Sequence, residues 1–337
     1  MPDASSYQPP FTLTSDIVSL VADIAEKIGR LSARPDFDMN LRLRRINRIR
    51  TITGSLAIEG NTLSEAQITA ILDGKPVLAP PRELQEARNA LVVYERLSEW
   101  DALKEADLLS AHRQLMLGLL DHPGTYRSGG VGVMAGDKVL HMAPPASRVP
   151  VLMSQLFAWL RSTHEHPLIA SSLFHYEFEF IHPFADGNGR MGRLWQTLLL
   201  SRWQPAFAWL PVESLVHQQQ AAYYQALSDS TAATDGAPFI RFMLGCIHEA
   251  VTRVVDRPET PVEMSVETPV EKRRTPQRIL QLLRDQPGMT LAEVAQAIGL
   301  SQRTVERAVM KLQQAGKLRH HGPKKGGHWE VVTESNQ

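Results

Sequence analysis

Apolar residues recur at intervals of three and four through most of the first 256 residues, which is the period of one helix face. Two stretches, 168–181 and 191–199, follow this spacing closely. Strand-like sequence there is limited to residues 131–142, VGVMAGDKVLHM, which predict a β-hairpin. The pattern therefore predicts a mostly helical region with one short hairpin. The apolar positions of the two stretches are Leu168, Ile169, Leu173, Phe174, Phe178 and Ile181, then Met191, Leu194, Trp195, Leu198 and Leu199.

The helical pattern stops at residues 257–274, RPETPVEMSVETPVEKRR. This stretch contains the sequence ETPVE twice, at 259–263 and 267–271, and its prolines are incompatible with a regular helix. It predicts an extended linker between two domains.

A different pattern follows the linker. TPQRILQLLRD predicts an amphipathic helix, and Thr290 with Glu293 predicts a capping box at the start of a second helix, which ends at Gly299. Ser301 is the expected N-cap of a third helix, and KLRHHGPKKGGHWEVV predicts two short strands around a turn. This order of elements is typical of a winged helix-turn-helix domain.

Charge is divided unevenly along the chain, although the net charge of the 337 residues is zero. Residues 272–337 contain twelve Lys or Arg and five Asp or Glu, so this segment carries about +7 and the rest about −7. The asymmetry indicates two functions on one chain.

The composition, with 43% hydrophobic residues, is that of a globular protein. The single cysteine, Cys246, excludes an internal disulfide, and its apolar surroundings predict a buried thiol. The N-terminus lacks a signal-peptide pattern, and no run of about 18 apolar residues could span a membrane. We therefore expect a cytoplasmic protein with no membrane partner.

The stretch IHPFADGNGRMGRLW, residues 181–195, has the composition of a phosphate site. A glycine-rich turn that leads into a helix presents unpaired N–H groups and the positive end of the helix dipole. Gly187 and Gly189 allow a close approach of the backbone, and Arg190 and Arg193 are spaced to face one anion.

Two further residues of this stretch have the chemistry of a transfer reaction. Asp186, just before the turn, is placed to hold a magnesium ion that bridges phosphates. His182, where the preceding helix ends, is suited to accept a proton from an attacking hydroxyl. The alternative is a plain helix–loop–helix turn with its arginines in solvent.

The sequence HPFADGNGRMGR resembles the signature of the Fic family, HPFx(D/E)GNGRxxR, at every fixed position. Fic proteins are typically adenylyltransferases, which move AMP from ATP to a Ser, Thr or Tyr hydroxyl of a target protein. The resemblance implies that His182 is the base, that Asp186 holds Mg²⁺ and that Arg193 reaches the γ-phosphate. Branches with kinase or phosphocholine activity usually depart from this motif, so AMP transfer is favoured. The nucleotide would be bound by Asp186, Gly187, Asn188, Gly189, Arg190, Met191, Gly192 and Arg193.

A second motif lies near the N-terminus, in residues 55–61, SLAIEGN. Ser55 and Glu59 are four apart and share a helix face, and a surface helix that ends at Gly60 would explain them. Thr62 with Glu65 would then cap the next helix. However, SLAIEGN resembles the inhibitory motif (S/T)xxxE(G/N) of many Fic proteins. This resemblance implies that Glu59 pairs with Arg193, which predicts low basal activity. The same glutamate could alternatively drive removal of AMP from a modified target.

The predicted hairpin resembles the Fic flap, whose edge pairs with an extended segment of the target. Val139, Leu140, His141 and Met142 would then cover the nucleotide and position the target hydroxyl; the alternative is a hairpin with no such role. By the same resemblance Tyr223 borders the adenine, although packing within a helix bundle would explain it equally well.

The basic tail has its own candidate ligand, duplex DNA. Arg303, Thr304 and Arg307 lie early on the expected recognition helix, and Lys324 and Lys325 lie in the wing, where they would contact phosphates. The alternative is a winged helix used for protein docking or dimerisation.

The sequence as a whole predicts a mostly α protein with four parts. These are an N-terminal helical region with the inhibitory helix at 10–100, a Fic catalytic core at 101–256, a linker at 257–274 and a winged helix at 275–333. The principal hypothesis is an autoinhibited, Mg²⁺-dependent protein adenylyltransferase that uses ATP, modifies target proteins and itself, and forms a homodimer. The alternative is a DNA-binding transcriptional regulator in which the Fic domain senses nucleotide.

Overall fold

The computed structural model describes residues 7–33, 41–130, 132–135, 138–255, 279–284, 286–298, 302–322 and 327–332. The chain divides into two compact units, Met1–Pro258 and Glu259–Gln337. The predicted linker, 257–274, lies outside the described residues.

The first unit is built from helices, with one hairpin between the fifth and the sixth of those described. Strands β1 (Gly132–Ala135) and β2 (Lys138–Met142) pair antiparallel, with an irregularity between Val133 and Met134. The predicted mostly helical fold with a short hairpin is therefore confirmed. The helices are α1 (Ser15–Ser32), α2 (Leu41–Ile58), α3 (Glu65–Leu72), α4 (Pro81–Glu95), α5 (Glu105–Leu115), α6 (Val149–Ser162), α7 (Pro167–Ile181), α8 (Asn188–Trp203), α9 (Val212–Gln218), α10 (Gln220–Ala233) and α11 (Ala237–Val255).

Helices α7 and α8 pack against each other at the centre of this unit. Most residues of both helices are buried, which explains why their apolar side chains are not confined to one face. Phe174 and Trp195 are fully buried, and each such side chain contributes about 1.5–3 kcal/mol relative to an exposed one. One hydrophobic core includes residues from both predicted regions, 10–100 and 101–256. The segment that joins α7 to α8 is thus anchored at both ends.

The start of α3 differs from the sequence prediction. The N-cap is Ser64, whose hydroxyl accepts from the Gln67 N–H while the Gln67 side chain accepts from the Ser64 N–H. The predicted box of Thr62 with Glu65 was wrong, because the Thr62 N–H and hydroxyl both donate to Glu83, at 2.7 and 2.8 Å. Because Thr62 is bonded to Glu83 on α4, it does not cap α3.

The second unit has the element order of a winged helix. Helical residues 279–284 (α12) are followed by α13 (Leu291–Ile298) and α14 (Gln302–Gln314). Strands β3 (Leu318–His321) and β4 (His328–Val331) pair antiparallel. The predicted capping box at Thr290 and Glu293 is confirmed by reciprocal bonds of 3.3 and 2.7 Å. A small core that includes Ile279, Leu283 and Val305 holds these elements together.

The predictions of a buried cysteine and of no membrane-spanning segment can be compared with the described residues. Cys246 is buried, as predicted, and burial raises the pKa of its thiol to about 12. Among the described helices, none combines the length and the apolar character needed to cross a membrane. A cytoplasmic location and a homodimer stay predictions.

Candidate active site

The candidate site is the loop between α7 and α8, residues 182–187. His182, which follows the last residue of α7, has the left-handed backbone conformation with a φ of 48°. Gly187, with a φ of 84°, precedes α8. This positive φ favours glycine, and a Cβ at position 187 would in addition lie 2.7 Å from Met116 Sδ. The left-handed conformation at His182 costs about 1–2 kcal/mol, which surrounding contacts must offset.

Asn188 holds this loop together from inside. Its Oδ1 accepts from the Phe184 N–H and its Nδ2 donates to the Phe184 carbonyl, both at 2.9 Å. The side chain is buried, so its two bonds shape the loop. The motif resemblance implies a nucleotide contact for Asn188 and gives no sign of these bonds to Phe184.

His112 on α5 supports the same loop and was missed by the sequence analysis. Its Nδ1 accepts from the Gly124 N–H at 2.8 Å, so its Nε2 carries the proton and donates to the Asp186 carbonyl at 3.0 Å. Its ring stacks on Phe184, with centroids 3.6 Å apart and an interplanar angle of 5°. The neutral ring therefore fixes the backbone of the residue that precedes Gly187.

We expect His112 to make the stability of the protein depend on pH. Burial lowers its pKa from 6.5 to about 4, so as the pH falls the unfolded chain takes up this proton first. Stability that is present above pH 6.5 is lost as the pH falls towards 4. A His112→Gln variant has no ring to protonate. The free energy of unfolding of the wild type, relative to that of this variant, should therefore fall by about 2–3 kcal/mol between pH 7.5 and 4.5.

Urea unfolding followed by tryptophan fluorescence at several pH values would measure this difference. All other titrating groups are common to the two proteins, so their contributions cancel in the comparison. A difference that stays constant with pH would contradict the assignment of a neutral, buried His112.

Arg193 is enclosed by the C-terminal end of α2. Its Nη2 donates to Glu59 Oε1 at 2.7 Å and to the Ser55 carbonyl at 3.0 Å, and its Nε donates to Ser55 Oγ at 3.2 Å. The Arg193 side chain is 2% exposed and that of Glu59 is 29% exposed. Burial disfavours the charged guanidinium, but the Glu59 carboxylate outweighs this and the pKa of Arg193 is raised. Gly60, with a φ of 86°, turns the chain directly after this contact.

Asp186 is paired with two arginines. Its Oδ2 accepts from Arg82 Nη2 at 2.9 Å, and its Oδ1 accepts from Arg190 Nη2 at 3.0 Å. Arg190 also lies 3.3 Å from Glu86, so α4 is linked to both residues of the motif. The Asp186 side chain is 35% exposed. The described residues contain no cluster of three His, Cys, Asp or Glu that could hold a metal alone. A single accessible carboxylate still suits Mg²⁺ when phosphate oxygens and water complete its shell.

Several buried polar atoms around the loop have no hydrogen-bond partner among the residues that the structure describes. They include His182 Nδ1, Glu179 Oε1, Arg190 Nε and Arg193 Nη1. Such atoms are uncommon in folded proteins and mark places where a ligand, a water or a movement completes the bonding. Their concentration here identifies the loop as the candidate site.

Glu179 is a second residue that sequence reasoning missed. Its carboxylate lies 3.9 Å from His182 Nδ1 and 3.7 Å from His175 Nε2. Burial alone raises the pKa of this carboxyl, but His175, His182 and Arg193 outweigh it and the net shift is downward. An ionised Glu179 thus faces Nδ1 of His182, which leaves Nε2 as the ring nitrogen that can meet a bound hydroxyl. The sequence signal was its position three residues before His182 on the same helix face.

The remaining glycines and Met191 serve packing. A Cβ at Gly189 would collide with the Glu59 carboxylate, and a Cβ at Gly192 would lie 2.7 Å from His175 Cδ2. Met191 is fully buried in the core. In the structure Gly189 and Gly192 let α7, α8 and the end of α2 approach one another. The assignment of Gly189, Met191 and Gly192 to nucleotide binding stays a prediction.

Tyr223 is buried in the core, as in the packing alternative. Its hydroxyl lies 3.2 Å from His175 Nε2, and its ring packs against Phe239. Tyr224, beside it, is only partly buried. A contact of Tyr223 with adenine would require these core contacts to open.

The other predicted site residues lie in the hairpin and in the second unit. Met142, at the end of β2, is 68% exposed. Val139, Leu140 and His141 lie in β2, and Arg303 and Thr304 lie in α14; the side chains of these five residues are outside the description. Arg307 is exposed on α14, while Lys324 and Lys325 fall outside the described residues.

Arg127 connects the loop to the hairpin. Its side chain is 6% exposed and donates to the carbonyls of His182 and Ile181, at 2.7 and 3.2 Å. It also donates to the carbonyls of Gly129 and Pro144, at 2.8 and 2.6 Å. No motif predicted this residue.

Comparison with known proteins identifies two domains by sequence. The sequence model of the Fic/DOC family matches residues 102–200. The model described as winged helix-turn-helix DNA-binding matches residues 272–319. The first match contains α7, the loop and most of α8, and the second contains α12 to α14.

A solved structure of a Fic family protein from Desulfovibrio desulfuricans is 44% identical to the chain, covers 98% of it and is itself covered completely, with a TM-score of 0.72. Protein adenylyltransferase Fic of Drosophila virilis is 30% identical over 257 residues, which are 71% of this chain and 50% of that protein. A Fic domain containing signaling protein from Bacteroides thetaiotaomicron, 21% identical with a TM-score of 0.58, shares the fold over 72% of this chain and 96% of its own. The chain spans about half the length of the curated relatives it matches.

Proposed function

The chain belongs to the Fic family, and on that premise we propose that it is an autoinhibited protein adenylyltransferase. It would transfer AMP from ATP to a Ser, Thr or Tyr hydroxyl of target proteins and of itself. The observation that carries this proposal is the set of unpartnered polar atoms on His182, Arg190 and Arg193 around the loop 182–187. Several relatives are named protein adenylyltransferase, which supports the same activity.

The proposed step is an in-line displacement at the α-phosphorus of ATP. The target hydroxyl oxygen forms a bond to this phosphorus, the bond to the oxygen that bridges to the β-phosphate breaks, and pyrophosphate leaves. His182 Nε2 accepts the hydroxyl proton, since Nδ1 is buried and faces Glu179. The ionised Glu179 carboxylate stabilises the imidazolium that forms, as a carboxylate does beside a catalytic histidine.

The phosphates would bind at the N-terminus of α8. Its first N–H groups and the Gly187 turn would face the bound anion, and Arg190 and Arg193 would supply the balancing charge. Asp186 would hold the Mg²⁺ ion, whose chemistry is to neutralise phosphate charge and align the leaving group. Arg82 now occupies Asp186 Oδ2, so a metal ion would have to displace it.

We expect Arg82→Ala to increase the affinity for Mg²⁺. The Arg82–Asp186 pair is largely exposed, with 60% and 35% of the two side chains accessible. Such pairs contribute up to about 1 kcal/mol, so the half-saturating metal concentration in the presence of ATP should fall by up to about fivefold. Mn²⁺ binding followed by EPR measures this without turnover, and Arg88→Ala, on an exposed position of the same helix, is the matched control. Unchanged or weaker binding would exclude competition by Arg82.

Autoinhibition by Glu59 is supported by its contact with Arg193. The arginine that would bind the γ-phosphate is already paired with a carboxylate at 2.7 Å, and a Cβ at Gly189 would touch that carboxylate, so Glu59 lies directly over the start of α8. A bound ATP would therefore lose a cationic partner and face a negative charge. Misplacement of the γ-phosphate in turn misaligns the α-phosphorus, and alignment accounts for much of the rate of phosphoryl transfer.

The chemical class is tested by comparing two labels. Incubation with α-³²P-ATP should label protein when the inhibitory glutamate is removed, as in Glu59→Gly. Incubation of the same variant with γ-³²P-ATP should leave protein unlabelled. Label from γ-³²P-ATP alone would replace AMP transfer by kinase chemistry.

Duplex DNA is a second candidate ligand, favoured by the match of residues 272–319 to a DNA-binding winged helix-turn-helix. The net charge of about +7 in residues 272–337 suits a polyphosphate. The alternative function, a DNA-binding regulator whose Fic domain senses nucleotide, would depend on this contact.

We expect binding of the full chain to random duplex DNA to weaken about 100-fold between 50 and 200 mM salt, as for about four phosphate contacts. The double variant Lys324→Gln, Lys325→Gln should reduce the slope of log affinity against log salt by about 2. Lys75→Gln, an exposed residue of the first unit, is the control. No binding, or binding that ignores salt, would favour the alternative of a protein-docking module.

A further inference from the structure

Four main-chain carbonyls from three separate segments converge on the guanidinium of Arg127. Two, from Ile181 and His182, belong to the end of α7 and the first loop residue. The Gly129 carbonyl lies just before β1, and the Pro144 carbonyl lies just after β2. The backbone N–H of Arg127 adds a fifth bond, to the Pro183 carbonyl at 2.9 Å.

Capping of α7 explains only part of this arrangement. The last carbonyls of a helix need donors, and a cation near this end is favourable. The bonds to Ile181 and His182 serve that need. The bonds to Gly129 and Pro144 add a different connection, because these residues are the two ends from which the hairpin projects.

The hairpin also contacts α10 through β2. It is a two-stranded sheet, so within the described residues each strand has one edge that no other strand covers. Such an edge accepts an extended segment by strand addition. The distance from that segment to His182 then depends on how the hairpin base is held relative to the loop.

We propose that Arg127 is a positioning residue that holds the β1–β2 hairpin and His182 in one register. Its planar fork can donate in several fixed directions at once, which an ammonium group cannot reproduce. This inference rests on the proposed function only for its catalytic consequence. The mechanical coupling of hairpin and loop is independent of the reaction.

The test uses the full chain with Arg127→Lys, which keeps the charge and removes the fork. Amide hydrogen exchange should accelerate at least tenfold both in the hairpin and in residues 181–185, with α8 unchanged. In a Glu59→Gly background, label transfer from α-³²P-ATP to protein should fall about 100-fold, the effect of misplacement by about 1 Å. ATP affinity should change less than threefold, because the loop–helix junction keeps the bonds of Asn188 and His112.

Arg161→Lys is the matched control, since Arg161 also donates to a main-chain carbonyl, that of Leu103 at 3.3 Å, on the exposed surface. It should leave exchange and transfer unchanged. Faster exchange in residues 181–185 with unchanged exchange in the hairpin would show that Arg127 only caps α7, and it would overturn the proposal. Equal losses of ATP binding and transfer would also overturn it. If the Glu59→Gly parent transfers no label, the proposed function fails, and the exchange data still decide the coupling.

If Arg127→Lys does not fold, the wild type provides the measurement. Native-state exchange at increasing urea should show the β1–β2 amides and the His182 amide opening together, with one dependence on denaturant. Opening of the hairpin in a separate, earlier event would overturn the proposal.

Discussion

Replacing Glu59 with glycine is expected to raise AMP transfer by about 10- to 100-fold, the range that a misaligned phosphate costs. The variant removes the carboxylate that lies 2.7 Å from Arg193 Nη2 and leaves the guanidinium bonded to Ser55. Arg193 is then free to bind the γ-phosphate. Transfer from α-³²P-ATP to protein, with purified chain alone and with cell lysate, measures the change.

Two controls accompany this experiment. Glu99→Gly removes an exposed carboxylate that pairs with Arg96 in a turn far along the chain from the motif, and it should have no effect. Glu59→Gln keeps the shape and removes the charge, so it should release part of the inhibition. Equal labelling by wild type and Glu59→Gly would exclude an inhibitory role. If the wild type instead strips AMP from labelled protein faster than Glu59→Gly does, the carboxylate also takes part in the reverse chemistry.

The second large effect is expected from His182→Ala in the Glu59→Gly background. Loss of a positioned base should reduce transfer by about 10²–10⁴-fold. The affinity for ATP should remain within a few fold, because in the proposed mode of binding the phosphates contact the start of α8 and not the His182 side chain. Single-turnover labelling and ATP titration by calorimetry separate the two quantities.

The matched control is His164→Ala, an exposed histidine between α6 and α7. Folding of the His182 variant needs its own check, because alanine in the left-handed conformation is no less strained than histidine. Transfer that persists in His182→Ala would show that His182 is not the base, and Glu179 would then be the next candidate.

How far the sequence could predict this site depended on whether its contacts follow a motif. Glu59 and Arg193 are 134 positions apart, yet a resemblance of short motifs placed them together. His112 and Arg127 carry no motif. Their roles arise from distances to main-chain atoms of Asp186, His182 and Pro144, and main-chain positions are set by the whole fold.

Local rules failed where a distant residue competed for the same group. Thr62 has the spacing of an N-cap, but Glu83 on α4 binds its N–H and hydroxyl, and the cap moved to Ser64. The capping box at Thr290 and Glu293 was predicted correctly, and no distant residue of the described part of the chain competes for its groups. Asn188 is a similar case, because its hydrogen bond to the Phe184 main chain depends on how the loop folds and not on a local sequence rule.

The shared guanidinium of Arg193 has a thermodynamic consequence. Glu59 and the terminal phosphate of ATP would compete for one group, so each must weaken the other by the same factor. ADP ends at the β-phosphate and would not enter this competition. A chain with this arrangement would therefore bind ADP while the Glu59–Arg193 contact stays closed. Productive binding of ATP would require this contact to open, which would use part of the free energy of ATP binding. Its activity would then respond to the ratio of the two nucleotides rather than to the concentration of ATP alone.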